Sequence, residues 1–209
     1  MNDFVPIPLF STPIVVTNID REFTKNELNC IADIPIWKEN QQMANHRSKD
    51  VYLFDNFVEE LKDIKIFIEQ QLKRYLEEIE GVDTNLATLR ITLSWLNITK
   101  PNESHHPHFH QNSYLSGVIY ISCLPNDQIY FSNRIHGFGN NIEFPMNKNT
   151  IWNVGNIAQN VIEGDLILFP SWVPHYVRKN TTKRERISLS FNTFPIGEMG
   201  KYPGTHLIL

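Results

Sequence analysis

The chain has 209 residues, of which 41% are hydrophobic and 20% charged, a balance typical of a soluble globular domain. Its net charge of -4 and pI of about 6.1 argue against a surface that recruits nucleic acid or an anionic membrane. No apolar stretch approaches the roughly 20 residues of a membrane span.

Cys30 and Cys123 match no zinc-binding spacing, and the first residues lack the basic and apolar regions of a signal peptide. We therefore expect two reduced thiols in a cytoplasmic protein, or in the host cytoplasm if the source is viral.

The N-terminal part of the chain predicts a strand followed by a short helix. Residues 9–19, LFSTPIVVTNI, are rich in β-branched side chains, which favours a strand. Thr24 is a candidate helix cap, and Pro35 ends the helical pattern. The apolar face of this helix consists of Leu28, Ile31 and Ala32. The polar residues 36–50 predict a loop.

Residues 56–81 predict the clearest helix of the chain, ending at Gly81. One apolar stripe recurs at helical spacing, which is typical of a helix packed on a sheet. The stripe consists of Leu61, Ile64, Phe67 or Ile68, Leu72, Tyr75 or Leu76, and Ile79.

From about residue 86 onward, short β-prone runs alternate with turns rich in Asn, Gly and Pro. This order predicts a mainly β protein of the α+β class, in which an antiparallel double sheet closes a jelly-roll barrel. We expect one domain over residues 1–209, with residues 1–85 packed on a barrel core formed by 86–209. Residues 133–160 predict a long connection that could serve as a lid over a site.

The stretch HHPHFH, residues 105–110, holds four of the chain's eight histidines. Residues i and i+2 of a strand share a face, so an H-x-H pair can offer two imidazoles to one metal ion. The pair is either His106 with His108 or His108 with His110, and the second pair is better placed at the mouth of a barrel. The alternative is a solvated histidine-rich loop.

A third ligand would have to come from another strand, and His175 in GDLILFPSWVPH follows a strand that could return it to the same mouth. Further along, Arg186 opens RISLSFN, where Arg186, Ser188 and Ser190 share one face of a strand. An inward arginine needs an anion, and its planar fork matches a carboxylate. The alternative is an outward arginine in a surface ion pair.

The ordered motifs HFHQNSYLSGVIYIS, GDLILFPSWVPH and RISLSFN resemble those of the 2-oxoglutarate- and Fe(II)-dependent oxygenases found in many phages and marine bacteria. The N-terminal LFSTPIVV and the SWLNI before the histidines also fit. The resemblance implies a double-stranded β-helix, a cupin-like jelly roll with Fe(II) at one mouth and 2-oxoglutarate and O2 as co-reactants.

Carried over by motif, the resemblance implies metal ligands at His108, His110 and His175. It also implies that Arg186 and Ser188 bind the far carboxylate of 2-oxoglutarate. Tyr120 falls where related hydroxylases place a tyrosine on that carboxylate, although it could equally be a core aromatic.

His110 departs from the family pattern, because the usual triad has an Asp or Glu at that place. No acidic residue lies between Glu103 and Asp127, so no local carboxylate can replace it. A neutral imidazole there leaves the ferrous site more positive and alters its redox tuning.

For the substrate side of the site, the sequence offers Trp95, Asn97, Tyr114 and Trp172, although we expect the tryptophans to be core residues. The substrate itself is open, and both a small molecule and a protein side chain fit. The closing HLIL could cover a neighbouring subunit in a homodimer, or its own sheet.

Three functions follow from these observations. The first is a 2-oxoglutarate-dependent Fe(II) dioxygenase that hydroxylates C–H bonds. The second is a cupin-like metalloenzyme with three histidines that uses no 2-oxoglutarate, and the third is a non-catalytic jelly-roll binding module.

Overall fold

The computed structural model describes residues 7, 11–37, 45–133, 145–200 and 202–209, which form twelve strands and three α-helices. The helices are α1 (Lys25–Asp33), α2 (Leu53–Asn56) and α3 (Lys62–Tyr75), and a π-helical turn (Leu76–Glu80) extends α3. The strands are β1 (Val15–Asn18), β2 (Ile36–Trp37), β3 (His46–Ser48), β4 (Ala87–Thr99), β5 (His105–His108), β6 (Leu115–Ser122), β7 (Gln128–Ser132), β8 (Asn156–Asn160), β9 (Asp165–Pro170), β10 (His175–Val177), β11 (Arg186–Met199) and β12 (Leu207–Ile208).

The strands form two antiparallel sheets, as predicted for a jelly roll. The larger sheet has the order β1-β9-β6-β11-β4-β3-β2, with β12 added to β11, and the smaller has the order β5-β10-β7-β8. From β4 to β7, and again from β8 to β11, consecutive strands alternate between the two sheets. This alternation is the arrangement of a double-stranded β-helix, and it brings β5, β10 and β11 around one interior.

The larger sheet carries a different core on each face, because side chains alternate along each strand. Ile119 and Leu189 pack with the helices on the outer face. Tyr120 and Phe169 pack inside the barrel. The predicted alternation along β11 is confirmed, since Ser188 and Ser190 take the barrel side of the sheet.

The helix after β1 is capped as predicted, but its buried face differs. Thr24 caps α1 and forms a capping box with Glu27. Leu28 and Ala32, predicted to face the core, are exposed, whereas Ile31 and Ile34 are buried. The predicted strand is shorter than residues 9–19, because pairing with β9 begins at Val15; residues 9 and 10 lie outside the described part.

The long helix predicted over residues 56–81 is wrong in its start, because α2 ends at Asn56 and α3 begins at Lys62. This break allows Leu53 and Phe54 to be buried as well as the stripe of α3. Ile79, expected on that stripe, is 46% exposed. Its position follows from the π-helical turn, which shifts the rotation of the last residues.

Two predicted connections contain strands. The loop predicted over residues 36–50 includes β2 and β3, which extend the larger sheet beside β4. The connection predicted over 133–160 ends in β8, paired with β7. Residues 134–144, which include part of the predicted lid and His136, lie outside the described residues.

At the C-terminus, β12 pairs with β11 of its own sheet, while Leu207 and Ile208 keep exposed side chains. Within the described residues, no helix is both long enough and apolar enough to cross a bilayer.

Candidate functional site

Three histidines from two segments meet inside the barrel. His108 ends β5 directly opposite His175 on β10, and the backbone N–H of His110 donates to the carbonyl of Ser171 at 2.9 Å. One potential ligand atom from each of His108, His110 and His175 lies within 4.8 Å of the other two. His106, the partner in the other H-x-H pair considered, is not in this group.

Each of the three rings is held through its Nδ1 atom. The Nδ1 of His108 lies 2.9 Å from the carbonyl oxygen of His106, and that of His175 lies 3.1 Å from the carbonyl of Val173. The Nδ1 of His110 lies 2.6 Å from Oδ1 of Asn192 and 2.8 Å from Oγ of Ser116. Carbonyl oxygens only accept, so Nδ1 must carry the proton and Nε2 keeps its lone pair.

Burial favours neutral imidazoles in this group. It lowers the pKa of His110 to about 4, with a further contribution from His108. Burial also takes the pKa of His175 well below its ordinary value. Neutral rings with Nε2 lone pairs that converge are what a divalent transition metal requires, so the residues present fit an iron ion.

A network of polar side chains supports His110. Ser116 donates to the same Asn192 oxygen at 2.8 Å and lies 2.7 Å from the hydroxyl of Ser171. The hydroxyl of Ser171 in turn lies 2.7 Å from that of Ser113. Such outer contacts fix ring orientation and tautomer at metal sites. The group contains no carboxylate within the described residues, which agrees with the sequence.

Arg186 is inside the barrel, with only 3% of its surface exposed. Its Nε–H donates to Oδ2 of Asp127 at 2.9 Å, and its Nη1 lies 3.4 Å from the hydroxyl of Ser188. The alternative of an outward surface arginine is therefore wrong. The sequence analysis missed Asp127, the anion that accompanies the buried guanidinium.

Tyr120 lies beneath this guanidinium, whose central carbon is 4.8 Å from the centre of the tyrosine ring. Its hydroxyl is fully buried and has no hydrogen-bond partner among the described residues. Burial raises the pKa of Tyr120 above its ordinary value, so the hydroxyl stays protonated and can donate. A buried donor without a partner is costly, and here it points to a ligand.

One cavity joins the histidines to the arginine. The volume open to a water-sized sphere is about 30 Å³, so the cavity is narrow in the ligand-free protein. The lining includes both groups and the inward side chains between them: Trp95, Asn97, His105, His108, His110, Val118, Tyr120, Ile129, Phe169, His175, Val177, Arg186, Ser188 and Ser190. A diacid could therefore contact the histidine end and the arginine end together.

The residues predicted for the substrate side fall in two places. Asn97 lines the cavity and donates to the hydroxyl of Ser190 at 2.9 Å. Tyr114 and Trp172 are 43% and 49% exposed and flank the histidine end in sequence. The expectation that the tryptophans are core residues is wrong for Trp172; Trp95 lines the cavity, with its ring 5.6 Å from that of His110.

The sequence analysis also missed His105 and Asn192. His105 lines the cavity and stacks on His108, with ring centroids 4.3 Å apart. Asn192 could have been found, because it continues the inward alternation of residues 186, 188 and 190 along β11. The position of His105 depends on the irregular register between β5 and β10, which no sequence pattern indicates.

Comparison of the fold with solved structures finds similar barrels. An oxidoreductase of the 2OG-Fe(II) oxygenase family from Burkholderia pseudomallei is 13% identical, with a TM-score of 0.58 over 86% of this chain and 84% of that one. The non-heme alpha ketoglutarate dependent epimerase SnoN from nogalamycin biosynthesis is 10% identical, with a TM-score of 0.60 over 89% and 79%. HygX from Streptomyces hygroscopicus, solved with nickel and 2-oxoglutarate, is 12% identical, with a TM-score of 0.52 over 87% and 82%. At these identities the likeness shows the fold.

Part of the sequence matches a family model. A search of curated proteins gives no match. Residues 93–192 match the family described as "Putative 2OG-Fe(II) oxygenase". That stretch contains the three converging histidines, Tyr120, Asp127 and Arg186. The match covers 100 of the 209 residues, so this part of the barrel is similar to the 2-oxoglutarate- and Fe(II)-dependent oxygenases.

Proposed function

We propose that this protein is a 2-oxoglutarate- and Fe(II)-dependent oxygenase, and specifically a hydroxylase, which couples oxidative decarboxylation of 2-oxoglutarate to oxidation of a C–H bond in its substrate. The observation that carries the proposal is the single cavity that joins three converging imidazoles to a buried arginine and an unpartnered tyrosine hydroxyl. A dicarboxylic 2-oxo acid presents complementary groups to both ends of such a cavity.

In this proposal, His108, His110 and His175 hold iron through their Nε2 atoms. Bound iron would supply the oxidative chemistry that side chains cannot provide. The task of the three rings is to keep their Nδ1–H groups on the carbonyl acceptors described above, so that all three lone pairs stay aimed at one point.

At the other end, the Arg186 guanidinium and the Tyr120 hydroxyl bind the far carboxylate of 2-oxoglutarate, with the Ser188 hydroxyl beside them. Arg186 and Tyr120 are almost completely buried. Water is therefore excluded, and each charge-assisted hydrogen bond is stronger than it would be at the surface. The buried guanidinium favours a diacid over a simple 2-oxo acid, because only the diacid carries a second carboxylate to pair with it.

The substrate would approach the histidine end; Tyr114 and Trp172, close to His110 and His175 in sequence, offer exposed aromatic surface. Such surfaces suit an apolar or cyclic group of a small molecule or of a protein side chain. The two free cysteines fit a reducing compartment, and so we propose the cytoplasm, in the host if the gene is a phage gene.

The test is succinate formation from 2-oxoglutarate with Fe(II) and air, first alone and then with pooled metabolites and peptides. We expect slow succinate release without substrate and faster release when a pool contains the substrate. Absence of any 2-oxoglutarate-dependent turnover, together with absence of the visible charge-transfer band on anaerobic addition of 2-oxoglutarate to the Fe(II) protein, would reject the proposal.

One observation favours a second candidate, a cupin-like enzyme that uses iron without 2-oxoglutarate, because the metal group holds three histidines and no carboxylate. Arg186→Ala separates the two. It should raise the KM for 2-oxoglutarate by more than about 10-fold in the hydroxylase, since it removes a charge-assisted carboxylate contact. It should leave metal-only turnover intact in the alternative. Arg184→Ala, at an exposed arginine of the same strand entry, is the matched control.

A further inference from the structure

Asp127 is a buried carboxylate that belongs to neither the histidine group nor the protein surface. It lies in the turn between β6 and β7 and is 6% exposed. Its Oδ2 accepts a hydrogen bond from the Nε–H of Arg186 at 2.9 Å. The two partners are 59 residues apart in sequence, so the pair forms only when the barrel closes.

The carboxylate is itself held rigidly. Its Oδ1 accepts from the backbone N–H of Gln128 at 2.8 Å, and its Oδ2 also accepts from that of Leu124 at 3.4 Å. Its own backbone carbonyl accepts from the N–H of Val161 at 3.0 Å. Asp127 is thus fixed to the backbone of two neighbouring segments before it contacts Arg186.

The contact uses the edge of the guanidinium that carries Nε. The face of the guanidinium lies over Tyr120, and Nη1 is near the Ser188 hydroxyl. Asp127 and Tyr120 therefore fix the plane of the guanidinium, while the terminal nitrogens do not contact Asp127 and Nη1 lies near Ser188. This leaves them available for a second anion.

Two opposite effects on that second anion are possible. A fixed guanidinium loses little freedom when it binds a carboxylate, which strengthens binding. A neighbouring negative charge repels the incoming anion, which weakens it. The burial of Arg186 favours the first effect, because an arginine that is 3% exposed could not keep its place without a counter-ion.

We propose that Asp127 is a positioning residue for 2-oxoglutarate, which acts by holding Arg186 in the orientation that receives the far carboxylate. This inference rests on the proposed function. A turn residue that belongs to neither the metal group nor the cavity lining thus controls the affinity and selectivity for the cosubstrate.

The test compares two 2-oxo acids that differ only at the far end. Anaerobic titration of the Fe(II) protein gives the Kd of 2-oxoglutarate and of 2-oxobutyrate, which lacks the distal carboxylate. Asp127→Ala should raise the Kd of 2-oxoglutarate by about 10-fold to 100-fold, the value of a buried charge-assisted hydrogen bond. The Kd of 2-oxobutyrate and the metal affinity should change by less than about threefold.

Asp165 supplies a matched control. It is a buried aspartate whose Oδ2 accepts from the backbone N–H three residues earlier, that of Ile162, at 2.9 Å. Its side-chain partner is Asn18, outside the cavity. Asp165→Ala should lower the melting temperature but leave both Kd values unchanged. Asp127→Asn, which keeps an acceptor oxygen for Nε, should raise the Kd of 2-oxoglutarate less than Asp127→Ala, and it replaces the alanine variant if that variant does not fold.

An unchanged or lower Kd of 2-oxoglutarate in both Asp127 variants would overturn the inference, because Asp127 would then be a bystander or a competing anion. Equal losses for both 2-oxo acids would also overturn it, since the role would be merely structural. A wild-type protein that binds no 2-oxoglutarate overturns the proposed function and this inference with it, whereas normal wild-type binding with an indifferent Asp127 rejects the inference alone.

Discussion

His110 differs from the other two clustered histidines in what fixes its ring. His108 and His175 each donate Nδ1–H to a carbonyl two residues earlier in the chain, so their orientation is local. His110 depends on Asn192, which is 82 residues away on β11. The imidazole that replaces the usual carboxylate is therefore the one most dependent on tertiary contacts.

Asn192→Ala should weaken metal binding by about 10-fold to 100-fold, the effect of removing an outer partner of a metal ligand. The physical reason is that His110 loses the acceptor that fixes its tautomer. Competition with a chromogenic chelator measures the affinity. Asn180→Ala is the control, because Asn180 is equally buried but donates to the backbone carbonyls of Thr99 and Arg184. Equal metal affinity in the two variants would contradict the expectation.

Tyr120→Phe should separate stability from cosubstrate binding. The hydroxyl is buried without a partner in the described residues, so its removal should stabilise the ligand-free protein by about 1 kcal/mol. The same change should raise the KM for 2-oxoglutarate by about 10-fold, because one donor to the far carboxylate is lost. Thermal unfolding and steady-state kinetics provide the two measurements. A variant that is less stable, or whose KM is unaltered, would argue for a purely structural tyrosine.

At the scale of single residues, the sequence predicted the groups whose partners are implied by strand alternation or motif. His108 and His110 were predicted as an H-x-H pair, although β5 ends at His108 and His110 lies just beyond it. For Arg186 the sequence left an inward and an outward position open, and the structure places it inside the barrel. Asp127 could not be predicted in the same way, because its role depends on a turn meeting a strand 59 residues later. Asn192 lies between these cases, since its face was predictable but its contact with His110 was not.

At the scale of elements, the helix cap predicted at Thr24 is confirmed at the start of α1. Thr24 accepts from the backbone N–H of Glu27 at 3.2 Å, and the Glu27 carboxylate accepts in turn from that of Thr24 at 2.7 Å. Arg21 binds the same carboxylate through both terminal nitrogens, at 2.6 and 2.9 Å. Burial by itself would raise the pKa of Glu27, but these hydrogen bonds outweigh it and lower the pKa.

Glu27→Gln should destabilise the protein by about 1 kcal/mol at pH 7, because glutamine keeps the capping geometry but loses the charge that pairs with Arg21. The folded-state pKa of Glu27 is below its unfolded value, so its contribution is complete above the unfolded value and is lost as the pH falls through the folded one. The difference between the two proteins should therefore shrink in acid. Urea unfolding at pH 7 and pH 3 tests this, with Glu59→Gln at an exposed site as control.

Helix α3 shows that hydrophobic periodicity predicts which face of a helix is buried but does not locate the ends of the helix. Its apolar stripe predicted the buried Ile64, Ile68 and Leu72. It could not locate the break before Lys62, because buried apolar residues occur both before it, at Leu53 and Phe54, and after it, at Ile64. Nor could it indicate the π-helical turn that exposes Ile79, since such a turn adds a residue to the helix without a sequence signal.

At the scale of the whole molecule, the two faces of the larger sheet have different roles. Its outer face packs on the helices through an apolar cluster, and its inner face carries the cavity. The inner row of β11 is almost entirely polar, with Arg186, Ser188, Ser190 and Asn192 in succession. The helices and the outer face of the sheet thus bury more apolar surface than the inner face, which carries the polar binding groups.

This division predicts that stability and ligand binding are coupled through the barrel interior. If the two ends of the cavity act together, one molecule of 2-oxoglutarate contacts both the metal at the histidines and the Arg186 guanidinium. Ni(II), which prevents turnover, should therefore raise the melting temperature even without 2-oxoglutarate. In contrast, 2-oxoglutarate should raise it only when the metal is present. At 100 times the Kd, a ligand adds about 2.7 kcal/mol of stability. For a chain of this size, that corresponds to about 5–10 °C.

Differential scanning fluorimetry of the metal-free protein with Ni(II), with 2-oxoglutarate and with both measures this coupling. Arg186→Ala should keep the increment from the metal and lose the increment from 2-oxoglutarate, because only the far carboxylate has lost its partner. An equal increment from 2-oxoglutarate with and without metal would mean that the diacid binds elsewhere. The barrel would then contain a metal group and an arginine that do not act on one ligand, which contradicts the shared cavity.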